Sequence, residues 1–192
     1  STLFPYTTLF RSISDITGSY YSEHGINIDK AFEVINSNPK KLLTGFEKAG
    51  NCEKIENDLF VDADFLFPCA RDGMINRKTA GKVKARYIVE GANGPVTPDA
   101  DQILADKGVL IVPDFLANSG GVIGSYFEWA QNLQGIFWSE DEYNEKLVRI
   151  MKGNFKRVWD YSKAKKVTMR RAATMAAIQR VADVVKMRGT FL

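Results

Sequence analysis

The stretch RYIVEGANGPVTPDADQILADKGVLIV, residues 86–112, decides the fold. Arg86-Tyr87-Ile88-Val89 is a short, mostly apolar run that stops at the small and polar Gly91-Ala92-Asn93-Gly94. Thr97-Pro98-Asp99 then has the composition of a helix start: a capping hydroxyl, a proline in the first turn, where its missing N–H costs nothing, and acidic side chains suited to the positive end of the helix dipole. Gly108 ends that helix, and Val109-Leu110-Ile111-Val112 opens a second apolar run. Strand, helix and strand in so short a span predict one parallel βαβ unit whose strands are covered on both faces.

Toward the amino terminus, Asp64-Phe65-Leu66-Phe67, stopped by Pro68, repeats the pattern, and Ile13-Ser14-Asp15 reads as the tail of another strand. Between them, residues 27–36 place Ile28, Phe32 and Ile35 at helical spacing, and residues 37–51 carry Pro39, Gly45 and Gly50, a loop composition. Toward the carboxyl end, residues 119–133 read as a helix. Ser139-Glu140-Asp141-Glu142 is a capping box opening a helix to about Ala164, and Thr168 caps a last one ending near Gly189. Met175, Ile178, Val181, Ala182 and Val185 form an apolar stripe on that last helix, expected to pack. The class is α/β: a truncated doubly wound (Rossmann-like) parallel sheet with a helical carboxyl-terminal segment.

The expected division is a non-native leader over 1–12, an incomplete dinucleotide-binding domain over 13–135, and carboxyl-terminal helices over 136–192. Residues 2–12, TLFPYTTLFRS, are similar to the translation of a sequencing-library adapter and show no periodicity, so native sequence is expected from Ile13.

With 192 residues and 45% hydrophobic content, the chain can bury a sizeable core. No apolar run reaches the roughly 20 residues that span a bilayer, which argues against a membrane partner and for a cytoplasmic protein. A formal net charge of +3 is too small to argue for nucleic acid. Much of the excess sits at Lys163, Lys165, Lys166, Arg170 and Arg171, read as a solvated face. Cys52 and Cys69 fit neither a metal spacing nor a disulfide framework, so reduced thiols and no metal site are expected. The single histidine, His24, lies in a turn-like Ser-Glu-His-Gly segment and reads as surface.

In an open parallel sheet, ligands bind beyond the carboxyl ends of the strands. The residues there are Asp15, Cys69, Ala70, the 91–94 loop and residues 114–121. Small residues let a flat cofactor approach the backbone, and Asn93 and Asn118 can each donate and accept hydrogen bonds. A carboxylate ending the second strand of such a fold, as Asp15 would, can take both ribose hydroxyls and repel a 2′-phosphate, which favours NAD over NADP. The alternative is a turn-forming Asp ahead of Thr17-Gly18. The glycines of Asn118-Ser119-Gly120-Gly121-Val122-Ile123-Gly124-Ser125 do not have the dinucleotide-fingerprint spacing. They read either as a helix amino terminus able to meet an anionic group, with Val122 and Ser125 sharing a face, or as a helix start that packs closely on the sheet.

Val89-Glu90-Gly91-Ala92-Asn93-Gly94-Pro95 followed by Thr97-Pro98 resembles the corresponding loop of glutamate dehydrogenases. The segments from Pro113 to Asn118, from Ser125 through Tyr126-Phe127-Glu128 to Trp129, and from Val167 to the end are similar to the same family in the same order. Leucine, phenylalanine and valine dehydrogenases share the glycine pair but not the S-Y-F-E-W run. The resemblance implies reversible oxidative deamination of L-glutamate to 2-oxoglutarate and ammonia with NAD or NADP, in a homo-oligomer, a hexamer. It also implies residue roles. Asp15 would meet the adenosine ribose, Cys69, Ala70 and Asn93 would line the cofactor cleft, and Asn118 would reach toward the nicotinamide. Ser125 would bind the substrate side-chain carboxylate, with Val122 packing on its methylenes. Cys69 stands where the family usually has alanine. The family's catalytic lysine and aspartate belong to an amino-terminal domain outside this chain, so no catalytic residue is expected here, and helices 136–192 would pack toward that substrate domain. Two other readings stay open: a non-catalytic interaction module on a nucleotide fold, and an amino-acid dehydrogenase with another substrate.

Overall fold

The computed structural model describes residues 9–189. It divides into two compact units, one of described residues up to Leu66 with Lys82–Ala85, the other of Phe67–Gly81 with the chain from Arg86 onward.

In the first unit, β1 (Ser12–Asp15) and β2 (Gly18–Tyr21) form an antiparallel hairpin, with Ile13 opposite Tyr20. β3 (Glu53–Ile55) pairs antiparallel on the other side of β2. Ile13-Ser14-Asp15 is thus a strand end, as expected, but its ladder partner is a hairpin mate. The ladder also continues upstream, the Arg11 and Phe10 carbonyls accepting from the Ser22 and Ile26 amides. Residues 1–8 of the expected leader lie outside the described residues.

Helix α1 (Ile28–Ser37) is capped by the Asn27 side chain, which accepts from the Lys30 amide. Its buried residue is Ala31, with Ile28, Val34 and Ile35 packed beside it, and Phe32 is left 60% exposed. The buried face of α1 runs through Ala31 with Ile28, Val34 and Ile35, and Phe32 lies off it. One turn of helix, α2 (Phe46–Ala49), inserts Phe46 into the core, where its ring meets Tyr20 edge-on at 5.6 Å. Tyr20, Ile26, Ala31, Leu43 and Phe46 form this core. The unit's run ends at β4 (Phe65–Leu66).

The second unit contains the βαβ element predicted from residues 86–112. β5 (Tyr87–Val89) and β6 (Leu110–Val112) pair in parallel, with Ile88 opposite Ile111, joined through α3 (Pro98–Asp106). Ile88 is fully buried and Ile111 nearly so. Thr97 sits at the N-cap of α3, but its hydroxyl bonds to the Asp99 carboxylate rather than to a first-turn amide. A turn of helix, α4 (Asp114–Ala117), leads into α5 (Gly120–Gln134). Phe127 anchors α5 by edge-on contacts with Trp138 and Tyr143.

Helix α6 (Glu140–Lys165) opens with the predicted capping box, Ser139 and Glu142 each bonding the other's backbone amide. Helix α7 (Met169–Arg188) is capped by Thr168, whose hydroxyl accepts from the Arg171 amide. The amino-terminal part of α7 packs through Met169, Ala172 and Ala173 onto Leu116 and Val158. The stripe expected to bury α7 does not do so: Ile178 and Val181 are each 64% exposed and Val185 is also exposed. The periodic pattern is present, but no element of the described chain covers its carboxyl-terminal half. Among the described residues, no helix is long and apolar enough to cross a membrane.

Candidate functional site

The candidate residues fall in both units. In the first, Asp15 closes β1 and builds the turn into β2. Its Oδ1 accepts from the Thr17 amide at 2.8 Å and the Thr17 hydroxyl at 2.5 Å, and its Oδ2 from the Leu43 amide at 2.7 Å. The turn-forming reading of Asp15 is therefore realised. A carboxylate offers about four lone-pair sites, so acceptor capacity remains beyond these three bonds. Burial would raise this carboxyl, but the hydrogen bonds from Thr17 and Leu43, with the Lys54 charge, hold it below its ordinary value of 3.8.

The sign of that shift fixes a pH dependence. A carboxyl with a depressed folded-state pKa contributes stability that is present above its unfolded value and lost as pH falls through the folded value. Asp15→Asn is expected to lower stability by about 0.5–1 kcal/mol at neutral pH, allowing for the group's exposure to solvent. The difference from the parent should shrink once the pH drops below about 4, where the parent's carboxyl also gains a proton. Urea denaturation at pH 7 and pH 3 measures it; a deficit of equal size at both would show that the charge contributes nothing.

In the second unit the polar and small residues after β5 and β6 converge, as placement at strand ends predicts. The Asn118 side-chain amide donates to the Asn93 carbonyl oxygen at 2.7 Å and to the Gly91 carbonyl at 3.3 Å. The Ala92 amide donates to the Pro68 carbonyl, and Gly91 lies so close to Cys69 that a Cβ there would meet the thiol sulfur at 2.5 Å. A side chain at 91 would have to push the Cys69 thiol aside. Gly94, in the left-handed region at φ +56°, donates its amide to Asp114 Oδ2 at 2.8 Å. Cys69, Gly91, Asn93 and Asn118 thus share one surface, and Ala70 follows Cys69 in an exposed position.

That surface lies beyond the carboxyl ends of β5 and β6. It is floored by small residues, and the Asn118 side-chain carbonyl and Asn93 amide nitrogen, one acceptor and one donor, carry no hydrogen bond within the described residues. Val122 and Ser125 stand on α5, both exposed, Val122 by 69%. The Ser125 hydroxyl bonds back to the Gly121 carbonyl at 3.2 Å. The α5 amino terminus is less free than its glycines suggest: Ser119 is helical, and the Gly121 and Ile123 amides already donate to Asn118 and Ser119 carbonyls. A cavity of about 330 Å³ opens on α5, lined by Gly120, Gly121, Gly124, Glu128, Phe137 and Tyr143 among others; Asn93, Asn118, Val122 and Ser125 do not line it.

Behind the 91–94 loop lies a charge cluster whose connection the sequence reading missed. Arg170, assigned there to a solvated basic face, is largely buried. Its guanidinium meets Glu90 Oε1 at 2.5 Å, Asp101 Oδ1 at 3.0 Å and Asp114 Oδ1 at 3.5 Å. The Glu90 side chain is fully buried, and its second oxygen accepts from the Asp114 amide at 2.8 Å. Burial pushes the Glu90 carboxyl up, and the Arg170 bond and charge oppose that rise. For Arg170, burial acts to lower the pKa, but its bonds to Glu90 and Asp101 prevail and raise it. The available signal was Glu90 itself, an acid directly following the apolar Ile88-Val89, which demands a cationic partner. His24 is exposed, as expected. Among the described residues, no group of three or more His, Cys, Asp or Glu is placed to hold a metal.

Comparison with known proteins places this geometry. The family model described as Glutamate/Leucine/Phenylalanine/Valine dehydrogenase matches residues 8–189. A glutamate dehydrogenase of Thermotoga maritima is 41% identical over 182 residues, covering 94% of this chain and 42% of the relative. An NAD-specific glutamate dehydrogenase of Staphylococcus aureus is 40% identical over 177 residues, covering 92% and 42%. Among solved structures, the hetero-hexameric glutamate dehydrogenase of Thermus thermophilus in its Leu-bound form superposes with a TM-score of 0.78 at 26% identity, covering 94% of this chain and 42% of that one. The chain therefore spans under half the length of the curated relatives it matches.

Proposed function

The chain belongs to the Glutamate/Leucine/Phenylalanine/Valine dehydrogenase family, and on that premise we propose that it is the cofactor-holding part of a glutamate dehydrogenase, which interconverts L-glutamate with 2-oxoglutarate and ammonia. The observation that carries this reading is the Gly91-Ala92-Asn93-Gly94 loop pinned against Asn118 beside Cys69, a small-residue floor with one free amide donor and one free amide acceptor. When bound, a nicotinamide ring would accept the hydride leaving the substrate α-carbon. The residues of this chain hold and orient. Asn93 and Asn118 grip the carboxamide and set which ring face is presented, while Cys69 and Ala70 leave room for it. Ser125 donates to the substrate side-chain carboxylate, and Val122 covers its methylenes and keeps water from that side.

Asp15 is assigned to the ribose hydroxyls with its remaining lone pairs, which favours NAD over NADP, as does the NAD-specific relative. A carboxylate already holding three hydrogen bonds is a fixed negative charge, and a 2′-phosphate beside it would be repelled. The proton transfers of imine formation and hydrolysis are assigned to a lysine and an aspartate outside this chain. The uncovered Ile178, Val181 and Val185 of α7 are assigned to packing toward the substrate domain that carries them. Assembly as a hexamer follows by likeness to the hetero-hexameric neighbour, and a cytoplasmic location fits a reaction on soluble metabolites.

The test is absorbance of NADH and of NADPH, followed separately, with 2-oxoglutarate and ammonia supplied to the protein that carries this chain together with the remainder found in its relatives. Oxidation of NADH at a higher kcat/KM than NADPH is the expected result. A folded protein that oxidises neither would overturn the reading in favour of a non-catalytic module or another amino-acid substrate.

A further inference from the structure

We propose that Arg170 is a positioning residue for the candidate cofactor loop, acting through Asp114 on Gly94 and so on Asn93. This rests on the reading of the 91–94 loop as a cofactor site and extends it to a residue on α7 that touches none of the candidate contacts. The relay is continuous. The guanidinium, bonded to Glu90 and Asp101, has its third nitrogen 3.5 Å from Asp114 Oδ1. The other oxygen of Asp114 accepts the Gly94 amide at 2.8 Å, and the Asp114 amide is itself held by Glu90 at 2.8 Å. Gly94 sits at φ +56°, in a residue type with wide backbone freedom, and two bonds hold it there: its amide to Asp114, and the Gly73 amide to its carbonyl at 2.9 Å. Fixing it orients Asn93, whose side-chain oxygen accepts from Asn118.

The chemistry selects arginine. A planar guanidinium presents donors in fixed, diverging directions and can address three carboxylates at once, one just past β5 and the others on α3 and α4, whereas a lysine ammonium is a point charge on a flexible stem. The three acids would repel one another without it, and Asp114, at the start of the single-turn α4, is the one held by the shortest helix.

The experiment uses the whole chain and the variants Arg170→Lys and Asp114→Asn. Amide hydrogen exchange by NMR is read at Gly94, with Ile88 and Ile111 of the parallel strands as references, and NADH affinity is measured by fluorescence titration. In Arg170→Lys the Gly94 amide should exchange at least tenfold faster while the two reference amides change less than twofold, and the NADH Kd should rise about tenfold. Should Arg170→Lys fail to fold, Asp114→Asn, which keeps the Arg170–Glu90 pair, should show the same selective loss at Gly94. Equal loss of protection at all three amides would overturn the proposal, since a merely structural role loosens the unit as a whole. Selective loosening of Gly94 with unchanged NADH affinity would overturn it too. If the parent chain binds no NADH, the cofactor reading fails by itself, and the Gly94 comparison still decides whether Arg170 positions the loop.

Discussion

Glu90→Leu is expected to destabilise the second unit by about 3–5 kcal/mol, the cost of removing one partner from a buried ion pair. Glu90 is the fully buried member of the cluster, and its two oxygens satisfy the Arg170 guanidinium and the Asp114 amide. Leucine fills a similar volume but leaves both donors facing an apolar side chain. Asp101 and Asp114 still neutralise part of the Arg170 charge, which holds the loss to the lower part of that range. All three tryptophans, Trp129, Trp138 and Trp159, belong to this unit, so the shift in its urea midpoint can be read from their fluorescence. The double variant Glu90→Leu/Arg170→Met should recover only part of the loss, because it removes the unpaired guanidinium but still leaves the Asp114 amide and the Asp101 and Asp114 carboxylates without those partners. A single variant as stable as the parent would show that the cluster is too hydrated to matter.

Phe46→Ala is expected to cost the first unit about 3–5 kcal/mol, the usual loss for emptying an aromatic core position. Phe46 has no exposed surface, is supported edge-on by Tyr20, and sits with Leu43, Ile26 and Ala31 in the core beneath the hairpin. Its side chain comes from a single helical turn that also contacts α1. Native-state amide exchange along β1 and β2 should report the loss as a roughly hundred-fold or greater acceleration. Protection unchanged in those strands would mean that the core beneath the hairpin is not held by Phe46.

What the sequence discloses here follows the range over which each signal acts. The βαβ unit at residues 86–112, the capping box at Ser139 and the cap at Thr168 are local patterns, and the structure contains them within a residue or two. The convergence of Gly91, Asn93 and Asn118 follows from the rule that ligands gather at the ends of parallel strands. The hairpin mate Gly18–Tyr21 was not legible, because four residues beginning with glycine carry too short a period to separate a strand from a turn. Phe32 and the outer half of α7 show the complementary limit: helical periodicity says which residues share a face but not what covers it. The Arg170–Glu90 pair joins residues 80 apart in the chain, and no local pattern separates that arginine from the solvated lysines around it.

We propose above that the 91–94 loop with Asn118 grips the nicotinamide carboxamide. Titrating the isotope-labelled chain with NADH, and with a nicotinamide-free adenine nucleotide as control, tests it most directly by NMR. The account predicts that NADH alone shifts the Asn93 and Asn118 side-chain amide signals together with the Gly91 and Gly94 backbone amides, and that Asn118→Ala weakens NADH about tenfold while leaving the adenine nucleotide unchanged. NADH that binds without moving those signals, or an Asn118→Ala variant that binds it as tightly as the parent, would contradict the account.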